Sequence, residues 1–532
     1  MGLPVSRKCF TRGTLVQAFM DYLIQVTHTC PRRSLYLSPA SHLSPRMQYL
    51  LDYYDKFICP VLVAFDGPTN PYRMHVMHLA MRSEGLRNAI AALSTNNIRM
   101  RDGTETRRLG FQQKMGTSPV LPDHAYSQMT TQELREMQGE PTPEEQRYKA
   151  TSIAFLNSQL ADPTSAKDDS VLATLLILCL FHVCDSGFSK FKTQLAGVQK
   201  LLGMRDRSVE SNFVGWIEVF FTWFDVMTST VNDRETQMQG DSLDMLNLSA
   251  DLGALEHLAG CEGRLFKLIA RLGRLNLLSQ NRPVRELDPG RNTTPRPTPQ
   301  IARTKDYYSL HYEQIDGNGW GTPVTGPASH SSPSFDPGPS PVVDDQRTAF
   351  WTEWHEIRTR LQEWELDSAG GLPLPSAPSC GAASSTLALS PAQAALLHIS
   401  ESFRYSALLY TERLAHPTLP SSALNFQNLV AQGLYHISQI GVTSCVNKFL
   451  LWPLFITGTE CVDDQHRAIV RQRCMEIQRE SGFFNNLSGL EVLERVWTEN
   501  DERSEGQVQE MPGAQAFRWR KAMDRVDGEY IM

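Results

Sequence analysis

Apolar residues recur at three- and four-residue steps along most of the chain and strict alternation is scarce, so the pattern predicts helices rather than strands. Met47, Leu50, Leu51, Tyr54, Phe57 and Ile58 fall on one helical face. Ser44-Pro45 supplies its start: a hydroxyl to cap free amide groups, then a proline whose missing N–H costs nothing in the first turn. Asn70-Pro71 repeats that signal ahead of Met74, Met77 and Ala80. Leu86, Ala89, Ile90 and Leu93 make a third face after Ser83, and a further helix opens at Ile153 to Leu160. The run VLATLLILCLFHV, Val171 to Val183, is apolar all round, which predicts a buried helix at the centre of a helical body. Phe213 to Met227 is strongly aromatic, and Leu265 to Leu278 reads as a Leu/Arg helix whose arginines are expected to face water.

The order breaks between Asn281 and Asp345, where 11 of the chain's 31 prolines fall among Gly, Ser and Thr. Such a composition buries too little apolar surface to offset its chain entropy, so the segment reads as a disordered insertion. Within it, only KDYYSLHYEQI, Lys305 to Ile315, is aromatic enough to dock; a shorter break runs from Ser368 to Ser385. Helical periods then resume. Phe350, Trp354, Ile357, Leu361 and Trp364 form a stripe expected to pack on the core, and ESFRYSALLYTERL spans Glu401 to Leu414. In FLLWPLFITGTE, Phe449 to Glu460, Pro453 is placed to kink or restart a helix and Gly458 to loosen it. Trp452 and Phe455 in this segment are expected to be buried against the Val171 to Val183 helix, since both stretches are too apolar to face water. Asp463-Asp464 can cap the helix carrying Ile469, Val470, Cys474 and Ile477, with Gly482 near its end, and Ser488 with Glu491 fits a capping box before Leu490, Leu493, Val496 and Trp497.

The predicted fold class is therefore all-α: one large helical array built from about Thr14 to Leu278 and from Phe350 to Trp497, interrupted by the proline-rich insertion. Its divisions are an N-terminal segment 1–43, a first helical part 44–280, the linker 281–345, a second helical part 346–500, and a C-terminal tail 501–532.

Composition narrows the function classes. A content of 41% hydrophobic and 20% charged residues is ordinary for a globular protein, and a net charge of -7 gives no generally basic surface for autonomous nucleic-acid binding. Arg99, Arg101, Arg107 and Arg108 are read as part of a polar loop. The ten cysteines are scattered without a Cys-x-x-Cys pair and read as buried thiols of a reducing compartment. Val171 to Val183 is too short to cross a bilayer, so no membrane role is expected; MGLPVS matches the N-myristoylation pattern at Gly2, but one acyl chain anchors only marginally.

The search for chemistry is nearly empty. FDGPTNPYR, Phe65 to Arg73, carries Asp66 and Arg73 but no histidine, cysteine or second carboxylate, and is expected to be a connector ending in a helix cap. HExxH, P-loop and GxSxG patterns are missing, and DGNGWG at Asp316 to Gly321 lacks dinucleotide-binding spacing. The pairs Asp168-Asp169, Asp344-Asp345 and Asp463-Asp464 lack the third aspartate of a terpenoid-cyclase metal motif. Its second motif fails at Gly240 after Asn232, Asp233 and Thr236, and at Val508 after Asn500, Asp501 and Ser504. His75 and His78 are three apart on a predicted helix without a local carboxylate or cysteine. No catalytic, cofactor-binding or metal site is expected. The competing reading, an all-helical terpenoid-cyclase-like enzyme acting on an apolar substrate, requires two carboxylate clusters facing each other across one cavity.

Five segments occur in a telling order: FDGPTNPYR after LLDYYDKFICPVLVA, then SVLATLLILCLFHVCDSGFSKFKTQLAGVQKLL, ESFRYSALLY, LLWPLFITGTE and GLEVLERVW. In this order they resemble the regulatory domain of fungal zinc-cluster (Zn2Cys6) transcription factors over about Met47 to Trp497. The resemblance implies an all-helical domain without a catalytic site that regulates transcription in the nucleus, shared with the cytoplasm, and that forms homo- or heterodimers through protein contacts. The chain departs from that family where the six-cysteine module should be, since Cys9 and Cys30 are the only cysteines before Cys59. Two expectations remain open: MGLPVSRKCFTRG is the remnant after a missing upstream exon, or the protein acts through a partner that binds DNA.

Overall fold

The computed structural model describes residues 43–115, 129–205, 212–237, 259–284, 341–365, 391–505, 517, 519–523 and 529–530. Gly2, the aromatic stretch at Lys305 to Ile315, DGNGWG and Ser368 to Ser385 lie outside them.

Ser44 opens the first helix, α1 (Pro45–Tyr53), by accepting the Met47 N–H on its Oγ at 3.3 Å. The helix then widens into a π turn, Tyr54–Ile58, and this shifts its inner face. Leu50, Leu51, Tyr54 and Ile58 are buried, whereas Phe57, predicted on the same face, is 47% exposed. A π turn holds more residues than an α turn, so each residue advances through a smaller angle and Phe57 falls short of the core. Tyr53 is buried in its place and donates from its hydroxyl to Asn97 Oδ1 at 2.9 Å. The second π turn, Tyr72–Met77, has the same effect: Met74 is exposed while Met77 and Ala80 are buried.

Ser83 accepts the Leu86 N–H and starts the long α2 (Glu84–Met115), with Leu86, Ala89, Ile90 and Leu93 buried. After α3 (Thr131–Gln138), α2 packs against α4 (Pro143–Ala161) and α5 (Asp169–Asp185). As its composition predicts, α5 is buried around nearly its whole circumference, among α2, α4, α6 (Phe191–Gly203), α7 (Asn212–Val231) and α15 (Asn485–Glu505).

The Leu/Arg stretch forms two helices, α8 (Gly263–Ala270) and α9 (Leu272–Ser279), and its arginines do not simply face water. Arg271 pairs with Glu353 and Glu356, and Arg274 pairs with Glu353 at 2.9 Å, all on α10 (Pro341–Glu363). Carboxylates from across the insertion thus satisfy these charges, which local sequence could not reveal. The stripe is buried as expected at Phe350, Ile357 and Leu361 of α10 and at Trp364 just past its end, while Trp354 is half-buried and donates its indole N–H to Thr411 O at 3.0 Å.

The second half adds α11 (Pro391–Ala415), α12 (Leu424–Gln439), α13 (Leu451–Thr459), α14 (Asp464–Ser481) and α15. Asp463 caps α14 by accepting the Gln465 and His466 N–H groups, and Gly482 ends it at φ 70°, a left-handed conformation suited to glycine. Ser488 is no cap. α15 already begins at Asn485, directly after the Gly482 turn, and the Ser488 hydroxyl instead donates to Ser186 O at 2.5 Å.

Every residue of α13 is buried. Pro453 sits in its first turn, where its missing N–H is tolerated, and the helix runs on past Gly458. Gly458 serves close approach rather than loosening: a Cβ there would lie 2.7 Å from Leu493 Cδ1, and Trp497 donates its indole N–H to Gly458 O at 2.7 Å. Gly458→Ala is expected to cost roughly 1–3 kcal/mol in denaturant unfolding, the usual cost of overpacking a full site. An unchanged midpoint would show that α13 and α15 can separate freely. Trp452 and Phe455 are buried as predicted, but α13 packs chiefly on α11, α12, α14 and α15. Trp452 stacks on Phe403 of α11 at 5.5 Å and donates to Thr230 Oγ1 of α7 at 2.8 Å, because α5 is already enclosed by its own neighbours.

Residues beyond 501, set apart in the sequence as a tail, contribute to the core. Phe517, Trp519 and Tyr530 are buried, Trp519 lies on α16 (Trp519–Met523), and β2 (Glu529–Tyr530) pairs antiparallel with β1 (Phe188–Ser189) in the register Phe188 to Tyr530. This two-stranded ladder is the one sheet among the described residues, and the fold is all-α. No helix among the described residues is long and apolar enough to cross a membrane.

Candidate functional site

The FDGPTNPYR connector is held by charge. Arg73 Nε meets Asp55 Oδ1 at 2.6 Å, Nη1 meets Asp66 Oδ1 at 2.5 Å, and Nη2 donates to Asp55 O at 2.9 Å. Burial opposes the guanidinium charge, but the Asp66 and Asp55 carboxylates outweigh it and raise its pKa. Asn70 donates to Cys59 O and to Asp66 Oδ1, both at 2.9 Å, and accepts the Tyr72 N–H at 3.0 Å, so it acts as the helix cap. Asn70 therefore ties Cys59 to Tyr72, while Asp66 and Arg73 hold the connector to Asp55.

Tyr72 and Leu62 form one wall of a cavity of about 100 Å³. Leu180 and Val183 of α5 and Phe220, Trp223 and Phe224 of α7 form the next two walls. The far side comes from the Lys448–Trp452 stretch and from the turn around Ser481 to Asn486 between α14 and α15. Four of the segments noted in the sequence, around Leu62, Tyr72, Leu180 and Trp452, thus meet at one point, although the first and the last are 390 positions apart. The cavity is mostly apolar and, among the described residues, its lining holds a single cation, Lys448. Its Nζ donates to Pro60 O, and among the described residues no carboxylate oxygen lies within 4.0 Å of it. Burial lowers its pKa to about 8, so it still carries its proton at neutral pH. Two lining residues keep a buried polar atom without a partner among the described residues, the Tyr72 hydroxyl and Asn486 Oδ1.

The other residues singled out in the sequence are dispersed. Asp168 caps α5 by accepting the Ser170 N–H, Asp169 pairs with Arg205, Asp501 pairs with Arg467, and Asp233 pairs with Arg520. His75 lies stacked 6.0 Å from Trp216, and burial lowers its pKa. Among the described residues no group of three or more His, Cys, Asp or Glu is placed to hold a metal ion. Of the described cysteines, Cys59, Cys179, Cys184, Cys261, Cys461 and Cys474 are buried and Cys445 is exposed; burial pushes the Cys179 and Cys474 thiols up to about 12. Arg99 and Arg101 lie on α2 rather than in a loop, and Arg107 and Arg108 fall within the same helix. Arg99 pairs with buried Glu145 and with Asp185, each at 3.0 Å, so its charge is turned inward.

Sequence reasoning missed a buried ion pair. Arg413, from the end of ESFRYSALLYTERL, meets Glu460, the last residue of LLWPLFITGTE, through two hydrogen bonds of 2.7 and 2.5 Å. Ser421 donates to the same carboxylate at 2.7 Å, Arg413 donates to Leu419 O at 2.6 Å, and the guanidinium lies 4.0 Å over the Phe426 ring. The available signal was a pair of charges inside otherwise apolar segments.

In comparison with known proteins, residues 49–532 match the family model described as fungal specific transcription factor domain. No curated protein and no solved structure matches the chain.

Proposed function

We propose, from the premise that this chain belongs to the fungal specific transcription factor domain family, that it regulates transcription as a helical scaffold for protein contacts and takes its DNA address from elsewhere. The address comes from a zinc-cluster module outside this chain or from a partner that carries one. The chain pairs with itself or with such a partner and works in the nucleus, with a share in the cytoplasm. The observation that carries this reading is the extent of the family match, which covers both halves of the helical body together with the buried residues beyond 501. Charge supports the division of labour. Sequence-specific binding needs several cations free to replace counterions on phosphates, whereas Arg99 and Arg73 are engaged by carboxylates of the chain itself.

The purified 532-residue chain is expected to contain no stoichiometric zinc and to show no sequence preference in a mobility-shift assay at physiological salt. Fused to a heterologous DNA-binding module, the same chain is expected to change output from a reporter carrying that module's site. A DNA motif selected by the chain alone would overturn the assignment of DNA recognition to a separate module. A fusion that occupies the site and leaves transcription unchanged would overturn the regulatory role itself.

A further inference from the structure

We propose that the cavity between Tyr72, α5, α7 and the Lys448–Trp452 stretch binds a small amphipathic carboxylate, an aromatic or branched aliphatic acid about the size of benzoate. This goes beyond the transcriptional reading and stands or falls separately from it. Size limits the ligand. A cavity of about 100 Å³ is smaller than the apolar void of about 150 Å³ that accepts benzene, so it limits the apolar body to at most a single ring or a short branched chain, with the rest of the ligand at the mouth. Phe220, Trp223 and Trp452 line it and offer broad flat contact to such a ring.

Charge selects an anion. An ammonium has three donors, and the described contacts give Lys448 one acceptor, Pro60 O. The acidic side chain whose charge bears on it, Asp66, is already held by Arg73 and Asn70. A cation drawn partly out of water without an anion is costly to maintain, and a packing defect would be lined by apolar groups alone. Here a cation sits at an otherwise apolar wall, and the lining residue Tyr72 carries a hydroxyl, without a partner among the described residues, that can donate to an anion, whereas Asn486 Oδ1 only accepts. Lys448 and Phe449 are half-buried, which sets them at the mouth. A ring therefore occupies the aromatic interior while its carboxylate stays at the mouth on Lys448. The walls are preorganised for this, because the Asp55–Arg73–Asp66 clamp and the Gly482 turn each fix one side.

Benzoate and its neutral relative benzyl alcohol test the assignment by calorimetric titration of the full chain, with the Trp223 and Trp452 fluorescence as a second readout. Benzoate is expected to bind at least about tenfold more tightly than benzyl alcohol, or about 1.4 kcal/mol. Lys448→Met should abolish that preference while leaving benzyl alcohol affinity near wild type, and Lys448→Arg should retain it. Val183→Phe, which fills the interior and leaves the cation in place, should weaken both ligands. Cooperative melting of each unliganded variant checks its fold. Equal affinity for the two ligands, no saturable benzoate binding at millimolar concentration, or a preference that survives Lys448→Met would overturn the proposal. Wild-type benzoate affinity in Val183→Phe would place the anion elsewhere and overturn it equally.

Discussion

Trp452→Ala is expected to lower the unfolding free energy by about 3–5 kcal/mol, the range for deleting a fully buried aromatic side chain. The indole is 2% exposed, stacks on Phe403 with ring planes 8° apart, and donates to Thr230 Oγ1. Truncation would remove the stacking contact, open a void beside α11, and leave a buried threonine hydroxyl without that donor. Trp452→Phe keeps most of the apolar area and should lose only about 0.5–1.5 kcal/mol, the contribution of one hydrogen bond. Urea unfolding followed by circular dichroism reads both, with the midpoint moving and the slope unchanged. An alanine variant that unfolds with the wild type would mean that α13 is not enclosed, contrary to the burial of all its residues.

Glu460→Ala should be comparably damaging, at about 3–5 kcal/mol, because it leaves Arg413 buried and uncompensated. Arg413 is 3% and Glu460 7% exposed at the side chain, so water cannot take the lost partner's place. The double variant Arg413→Met with Glu460→Leu removes both charges and should recover much of that loss, as buried pairs replaced by apolar residues often do. A double-mutant cycle on these positions gives the coupling directly. Additive losses would show that the two side chains act separately, and that the geometry joining α11 to the end of α13 contributes little.

Helix positions were legible because burial on one side repeats with the helical period, as Leu50, Leu86, Ile357 and Val470 show. The same arithmetic failed at Phe57 and Met74, since it assumes one angle per residue and both lie in π turns. It also failed at Ser488, where a capping pattern occurs one turn inside a helix already started. Charges were harder. Arg271 and Arg274 find Glu353, and Arg413 finds Glu460, through folding rather than proximity in sequence, so no local rule predicts whether they face water. The cavity is the extreme case: Leu62, Leu180, Phe220, Lys448 and Phe483 come from five segments, and none carries a pattern naming the others. The order of segments identified the family, while their convergence around one hollow required coordinates.

The β1–β2 ladder bears on how the chain is made. Glu529 accepts the Lys192 N–H across 337 residues, and Tyr530 reaches Asn485 O with its hydroxyl at 2.7 Å from a fully buried position. Synthesis runs from the N-terminus at roughly 5–20 residues per second, so α5 and β1 leave the ribosome on the order of tens of seconds before the strand that covers them. During that interval the nascent chain presents Phe188 and its apolar surroundings uncovered. Recovery of soluble protein from a heterologous host should therefore respond to translation speed and to chaperone supply, even when the finished body is stable.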